Sequence, residues 1–168
     1  KPQLLKGFNE VTKGNGYYKA RLSTAASPKE LMAGNYMLRS ISKAKNTDHV
    51  IYTMESFEQY PDLHYATLDF KKSIRLTHGI DQQKDYLWGT AELVSWISLD
   101  GRKLEGVVYK PADFDPAKKY PMIVSFYERN SETLFNYRMP EPHRSTIDYH
   151  LYNSNGYIVF NPDIRYVD

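Results

Sequence analysis

The 168-residue sequence predicts a β-rich α/β chain, made of the end of one β domain and the beginning of an α/β domain. Three observations carry this. From Tyr36 onward, short apolar stretches recur about every ten residues, each closed by a turn signal, as in an antiparallel meander, a sandwich or a propeller blade. Near the C-terminus two apolar segments, 122–126 and 157–160, do not alternate and flank a helical pattern, as parallel strands buried on both faces do. Tyrosine supplies 15 residues, and it favours strands and half-buried surfaces with one wet end.

The first 35 residues are weakly patterned. Gly14, Gly16 and Gly34 punctuate polar segments, and Ser27-Pro28-Lys29-Glu30 is a signal for one short helical turn. Strands are then expected over 36–41, 49–54, 62–68 and 73–77. Turn signals follow them at Lys45-Asn46-Thr47-Asp48, Gln59-Tyr60-Pro61, Asp69-Phe70-Lys71-Lys72 and His78-Gly79. A second texture begins near Tyr86. Strands over 91–98 and 104–110 are joined by Leu99-Asp100-Gly101-Arg102, and Asp-Gly between apolar runs is a hairpin signal. A loop with Pro111 and Pro116 precedes the strand at 122–126. Ser145-Thr146-Ile147-Asp148 has the form of a capping box with Ser145 as N-cap, and Asn155-Gly156 supplies the helix stop. Strand, loop, helix and strand over 122–160 make a parallel crossover. Two such strands make an incomplete α/β sheet, so a fragment with unpaired edges and an exposed apolar face is expected.

Composition narrows the function. Lys plus Arg total 22 against 20 Asp plus Glu, a net charge of +2, without the concentrated basic excess of a nucleic-acid binder. No apolar run approaches the roughly 18 residues of a membrane span. No basic-then-apolar leader is visible from Lys1, so any signal peptide is expected to be removed or never present. Cysteine is absent, which excludes disulfides, thiolate metal sites and a cysteine nucleophile. That does not fix the compartment; a periplasmic or secreted location is favoured over a cytoplasmic one.

Along the second half of the chain come Trp96-Ile97-Ser98-Leu99-Asp100-Gly101, Leu104-Glu105-Gly106, Tyr109-Lys110-Pro111, Phe114-Asp115, Lys118-Lys119-Tyr120-Pro121, Tyr127, Asn155-Gly156-Tyr157 and Pro162-Asp163-Ile164-Arg165-Tyr166. In this order they resemble the join between propeller and hydrolase in the prolyl oligopeptidase family of serine peptidases, which includes dipeptidyl peptidase IV and acylaminoacyl-peptidase-like members. The stretch 56–70, with Tyr60-Pro61-Asp62-Leu63, resembles the last blade before that join. The resemblance covers roughly residues 48–166. It implies the end of a β-propeller (1–85) followed by the first strands of an α/β-hydrolase domain (86–168). It also implies hydrolysis of short peptides, often after proline or a small residue, through an acyl-enzyme.

The chain has no G-x-S-x-G elbow, and none of Ser95, Ser98, Ser125, Ser131, Ser145 or Ser154 has that context. By the resemblance the triad lies beyond Asp168, and the chain alone is expected to be inactive. Tyr127, just after the first long strand, matches the tyrosine that donates its O–H to the oxyanion in the family. Glu128 and Arg129, where relatives often carry small residues, would flank that phenol and contact substrate. Asp163 and Arg165 are expected to be structural.

His49, His64, His78, His143 and His150 form no H-x-x-x-H or H-E-x-x-H pair, and neither metal nor cofactor is expected. Glu55, Glu58, Asp62 and Asp69 are scattered acids rather than a recognisable glycosidase pair. The expected partners are a peptide substrate and the remaining propeller and hydrolase segments, with no nucleic acid and with homo-oligomer formation left open. Two other classes compete: a β-rich binding module for carbohydrate or protein, with a tyrosine platform, and a catalytically dead propeller–hydrolase scaffold.

Overall fold

The computed structural model describes residues 2–21, 23, 25–79, 83–142, 144 and 146–165. Among the described residues eleven strands form three sheets. The first sheet is an antiparallel meander of β1 (Gln3–Phe8), β2 (Asn15–Ala20) and β3 (Lys29–Gly34). The helical turn expected at Ser27-Pro28-Lys29-Glu30 is not formed. Lys29 and Glu30 pair instead with Lys19 and Tyr18 of β2, so sheet pairing overrides the local helix-start signal.

The second sheet is an antiparallel meander of β4 (Met37–Lys43), β5 (His49–Ser56), β6 (Gln59–Thr67) and β7 (Ser73–Arg75). These are the four strands expected from the ten-residue spacing. One turn moves: β6 begins at Gln59 and runs through Pro61, so the β5–β6 turn is made by Phe57 and Glu58. The register shifts opposite Pro61, between Met54 and Ser56, and that bulge accommodates a residue without an N–H.

The two meanders share one core of Tyr17, Leu38, Val50, Tyr52 and Ala66, all nearly inaccessible. Tyr17 meets Tyr52 edge-on at 6.0 Å and stacks on Phe70 at 5.0 Å. This core answers much of the tyrosine excess, because a buried phenol brings a large apolar face. Asp62 sits at the sheet's end with a buried carboxylate. It accepts from the Thr77 hydroxyl at 2.7 Å and the Gly79 N–H at 2.9 Å, and pairs with Arg75 at 2.5 Å. Burial pushes its pKa up, but the Gly79 and Thr77 hydrogen bonds and the Arg75 charge outweigh that and hold it below the usual range. Asp62→Ala is expected to destabilise by about 1.5–3 kcal/mol, the worth of hydrogen bonds to a charged group, read from urea unfolding at pH 7.

The third sheet has the order β10-β11-β9-β8: β8 (Thr90–Ile97), β9 (Lys103–Lys110), β10 (Met122–Val124) and β11 (Ile158–Pro162). The β8–β9 hairpin turns as Asp-Gly predicts, with Gly101 at φ 78°, a left-handed position that glycine adopts without strain. Gly106 is required for a different reason. A Cβ there would lie 2.8 Å from the Asn161 carbonyl oxygen of the neighbouring strand. β10 and β11 are parallel and joined through α1 (Tyr149–Ser154), the expected crossover. The helix starts later than the capping box implies. Its N-cap is Asp148, whose Oδ1 accepts from the N–H groups of His150 (3.0 Å) and Leu151 (3.2 Å). Ser145, the expected cap, lies outside the described residues, as does His143.

Strand β10 departs from expectation. It is shorter than 122–126 and occupies the edge of its sheet, with Met122 and Val124 about half exposed. Its apolar, non-alternating sequence predicts burial on both faces; the described residues cover only part of it. Among the described residues β10 thus leaves an open sheet edge with two half-exposed apolar side chains.

A second core joins the third sheet to the second. Phe57, at the β5–β6 turn, packs with Val107, Tyr109, Leu134 and Val159. The Trp88 indole donates to the Phe57 carbonyl at 2.7 Å. His150 stacks on Phe57 at 5.1 Å, and its Nε2 pairs with the Arg138 carbonyl at 2.8 Å. His64 is buried in the other core, stacked on Tyr52 at 5.3 Å. Burial pushes both imidazoles down; Arg75 adds to this at His64 while Asp62 opposes it, and the Arg138 hydrogen bond and Asp148 oppose it at His150. With native pKa values depressed, the unfolded chain binds protons first. Stability is then complete above about pH 6.5 and falls as pH drops toward the native values. The urea midpoint is expected to fall between pH 7 and pH 5.5, and to fall less in a His64→Gln/His150→Gln double variant.

Candidate active-site loop

After β10 the backbone continues through Ser125, whose N–H still bonds the Phe160 carbonyl of β11 at 2.9 Å. The chain then leaves the sheet. Phe126 and Tyr127 are 65% and 76% exposed. Glu128 turns the backbone at φ 57°, a left-handed conformation that costs a non-glycine residue about 1–2 kcal/mol. Such strain persists where the surroundings over-determine it. Here the Ile164 N–H holds the Glu128 carbonyl at 3.0 Å.

A polar cluster lies beneath the loop. The Asp163 carboxylate accepts from the Ser131 N–H at 2.7 Å and the Ser131 hydroxyl at 2.6 Å. Ser131 opens a 3-10 turn, Ser131–Thr133, and is fully buried. The Asp163 N–H bonds the Glu105 carbonyl at 2.9 Å, fixing it to β9. Asp163 thus anchors the loop. Arg165 pairs with Asp100 of the β8–β9 hairpin, so its contact is also structural. The Asp100 carboxyl is held below the usual range, first by the Ser98 hydroxyl and then by Arg165.

Because β10 and β11 run parallel, their carboxyl ends lie at the same edge of the sheet. Tyr127 follows one and Asp163 follows the other. In open α/β sheets, that edge is where ligands bind. The arrangement leaves Tyr127 exposed beside an anchored polar loop, and its phenol O–H is a group able to donate to a developing negative charge. Glu128 and Arg129 stand beside it and are exposed. Arg129 reaches Glu132 at 3.0 Å, an exposed pair of small energetic weight.

The other candidates are dispersed. His49 tilts over Tyr65 at 5.2 Å, His64 and His150 are stacked in the two cores, and His78 is exposed. Among the described residues no group of three or more His, Asp or Glu side chains could hold a metal ion, and no helix is long and apolar enough to cross a membrane. Glu55 is buried, accepting from Arg39 at 2.8 Å and the Tyr137 N–H at 3.2 Å; it ties the second sheet to the loop after the 3-10 turn. A tyrosine platform is not found. Among the described residues only Tyr86, Tyr127 and Tyr157 are more than about a third exposed, and they sit on separate segments. Asn130 was not among the sequence candidates. No local pattern marks it, whereas its side chain bonds the backbone at both strand ends.

No protein-family model and no curated protein sequence matches the chain. Solved structures do match it. Porphyromonas gingivalis dipeptidyl peptidase 4 aligns with a TM-score of 0.69 at 18% identity, over 96% of this chain and 22% of that one. A prolyl endopeptidase aligns at 0.63 and 15%, over 98% and 24%. Pyrococcus horikoshii acylaminoacyl peptidase aligns at 0.62 and 17%, over 90% and 22%. The chain spans less than a quarter of each of these proteins. Its fold is that of a stretch of such peptidases, the end of a propeller followed by the first strands of a hydrolase sheet.

Proposed function

We propose that this chain is the stretch of a prolyl oligopeptidase-like serine peptidase in which the propeller (residues 1–85) passes into the α/β-hydrolase domain (86–168). The observation that carries the reading is the placement of an exposed Tyr127 at the shared carboxyl-end edge of two parallel strands. In the whole enzyme a serine from another part of the protein attacks the scissile carbonyl. The carbonyl oxygen becomes an oxyanion, and the Tyr127 O–H donates a hydrogen bond to it. As the intermediate collapses the C–N bond breaks, the proton that a base elsewhere in the enzyme took from the serine passes to the leaving amine, and the acyl-enzyme left behind is hydrolysed by water. Glu128 and Arg129 border the same space and contact the bound peptide. The substrates are short peptides cleaved after proline or a small residue.

The test is a chromogenic dipeptide bearing proline before the leaving group. The full-length protein is expected to cleave it with burst kinetics at high enzyme concentration. The 168-residue chain is expected to show no cleavage above background. Turnover by the 168-residue chain alone would place the nucleophile within it and overturn the reading. An inactive full-length protein, across proline and small-residue substrates, would favour the non-catalytic scaffold.

A further inference from the structure

The loop that carries Tyr127 is closed by one side chain. Asn130 Nδ2 donates to the Tyr127 carbonyl at 3.0 Å and to the Pro162 carbonyl at 3.1 Å. The acceptors follow β10 and end β11, so the two hydrogens of one amide bridge the ends of both parallel strands. The Asn130 backbone is fixed in turn. Its carbonyl accepts from the Thr133 hydroxyl at 2.8 Å and the Thr133 N–H at 2.9 Å. Next to it, Ser131 is held by both oxygens of Asp163. The Tyr127 phenol is 76% exposed and makes no hydrogen bond within the described residues. Little packing holds the ring, so the backbone at Tyr127, with the left-handed turn at Glu128 after it, is what sets where the side chain departs from the chain.

We infer that Asn130 is a positioning residue for Tyr127: its amide locks the strand-end backbone from which the phenol projects over the edge of the sheet. The inference rests on the reading of Tyr127 as the oxyanion donor. A donor acts through a fixed distance to the oxygen as it becomes charged, and a displacement of about 1 Å can cost on the order of a hundredfold in rate. Asn130 touches no reacting atom, so its loss should appear in kcat with KM little changed. An aspartate in its place would turn an acceptor toward two carbonyl oxygens and should be no better than alanine.

The experiment is a double-mutant cycle in the full-length protein on the chromogenic dipeptide, with Asn130→Ala, Asn130→Asp, Tyr127→Phe and the pairs. Each Asn130 variant is expected to lower kcat by about 10- to 100-fold with KM nearly constant. In the Tyr127→Phe background the same substitutions should lower kcat by less than about twofold, because the group they position is gone. Should Asn130→Ala fail to fold, Asn130→Asp, which keeps the shape of the side chain while removing both donors, carries the cycle. Equal losses with and without the Tyr127 hydroxyl would show a general structural role and overturn the inference. So would unchanged kcat in a folded Asn130→Ala enzyme. If Tyr127→Phe alone keeps full kcat, the oxyanion reading itself fails, and the role of Asn130 fails with it.

Discussion

Phe57→Ala is expected to lower the folding free energy by about 3–5 kcal/mol, the range for removing a buried aromatic ring. The ring is 2% exposed although it sits at a hairpin turn, a place where chains are ordinarily wet. It lies 4.9 Å from the Tyr109 ring and 5.1 Å from His150, and faces Trp88 at 6.4 Å. These partners come from β9, α1 and the segment before β8, so one side chain plugs the second sheet into the core of the third. Truncation leaves a cavity among rings carried by a strand, a helix and a loop, which cannot collapse into it together. Against a typical total of roughly 5–15 kcal/mol, that is a large share of the stability. Phe57→Leu, which keeps much of the volume, should cost about 1–1.5 kcal/mol. Guanidinium unfolding of the three proteins checks this. A Phe57→Ala loss below about 1 kcal/mol would mean that the turn is not docked in that core.

The fold was legible where local pattern and tertiary pairing agree. Strands 49–56, 59–67, 90–97 and 103–110 alternate or carry β-branched residues, and Asp100-Gly101 marks their hairpin. The first sheet was not legible. Gln3–Phe8 and Lys29–Gly34 are short and mixed, and their strand character comes from pairing with β2, whose Tyr17 is buried by Leu38, Tyr52 and Phe70 from the second sheet. No window of sequence contains that core. The depth of β10 was not legible because an apolar run reports a potential for burial, while its place in the sheet is set by pairing with β11. At the site, Tyr127 stood out by its place after an apolar strand and by resemblance. Asn130 and the Asp163–Ser131 contact did not, because they join residues more than thirty positions apart.

The electrostatic frame of the joint follows the same logic. Lys13, with its side chain almost fully buried, reaches Glu105 of β9 at 2.6 Å and ties the first sheet to the third. The Glu105 carboxyl is held below the usual range, first by that Lys13 hydrogen bond. Together with Glu55 and Phe57 it links the three sheets to one another. Preorganised donors require a firm base, since their effect depends on needing no rearrangement as charge develops.

The central claim is that Tyr127 donates to the oxyanion, and Tyr127→Phe tests it most directly. The substitution removes one oxygen from an exposed side chain, so folding should be unaffected and thermal unfolding should coincide with the parent. The hydrogen bond is strong only once the carbonyl oxygen becomes charged, so ground-state binding should change little. By analogy with other oxyanion donors, kcat of the full-length enzyme on a proline-containing chromogenic dipeptide should fall by about 100- to 1,000-fold, or ~2.7–4 kcal/mol, with KM nearly constant. A kcat within about twofold of the parent, in a folded and substrate-binding Tyr127→Phe enzyme, would contradict the account.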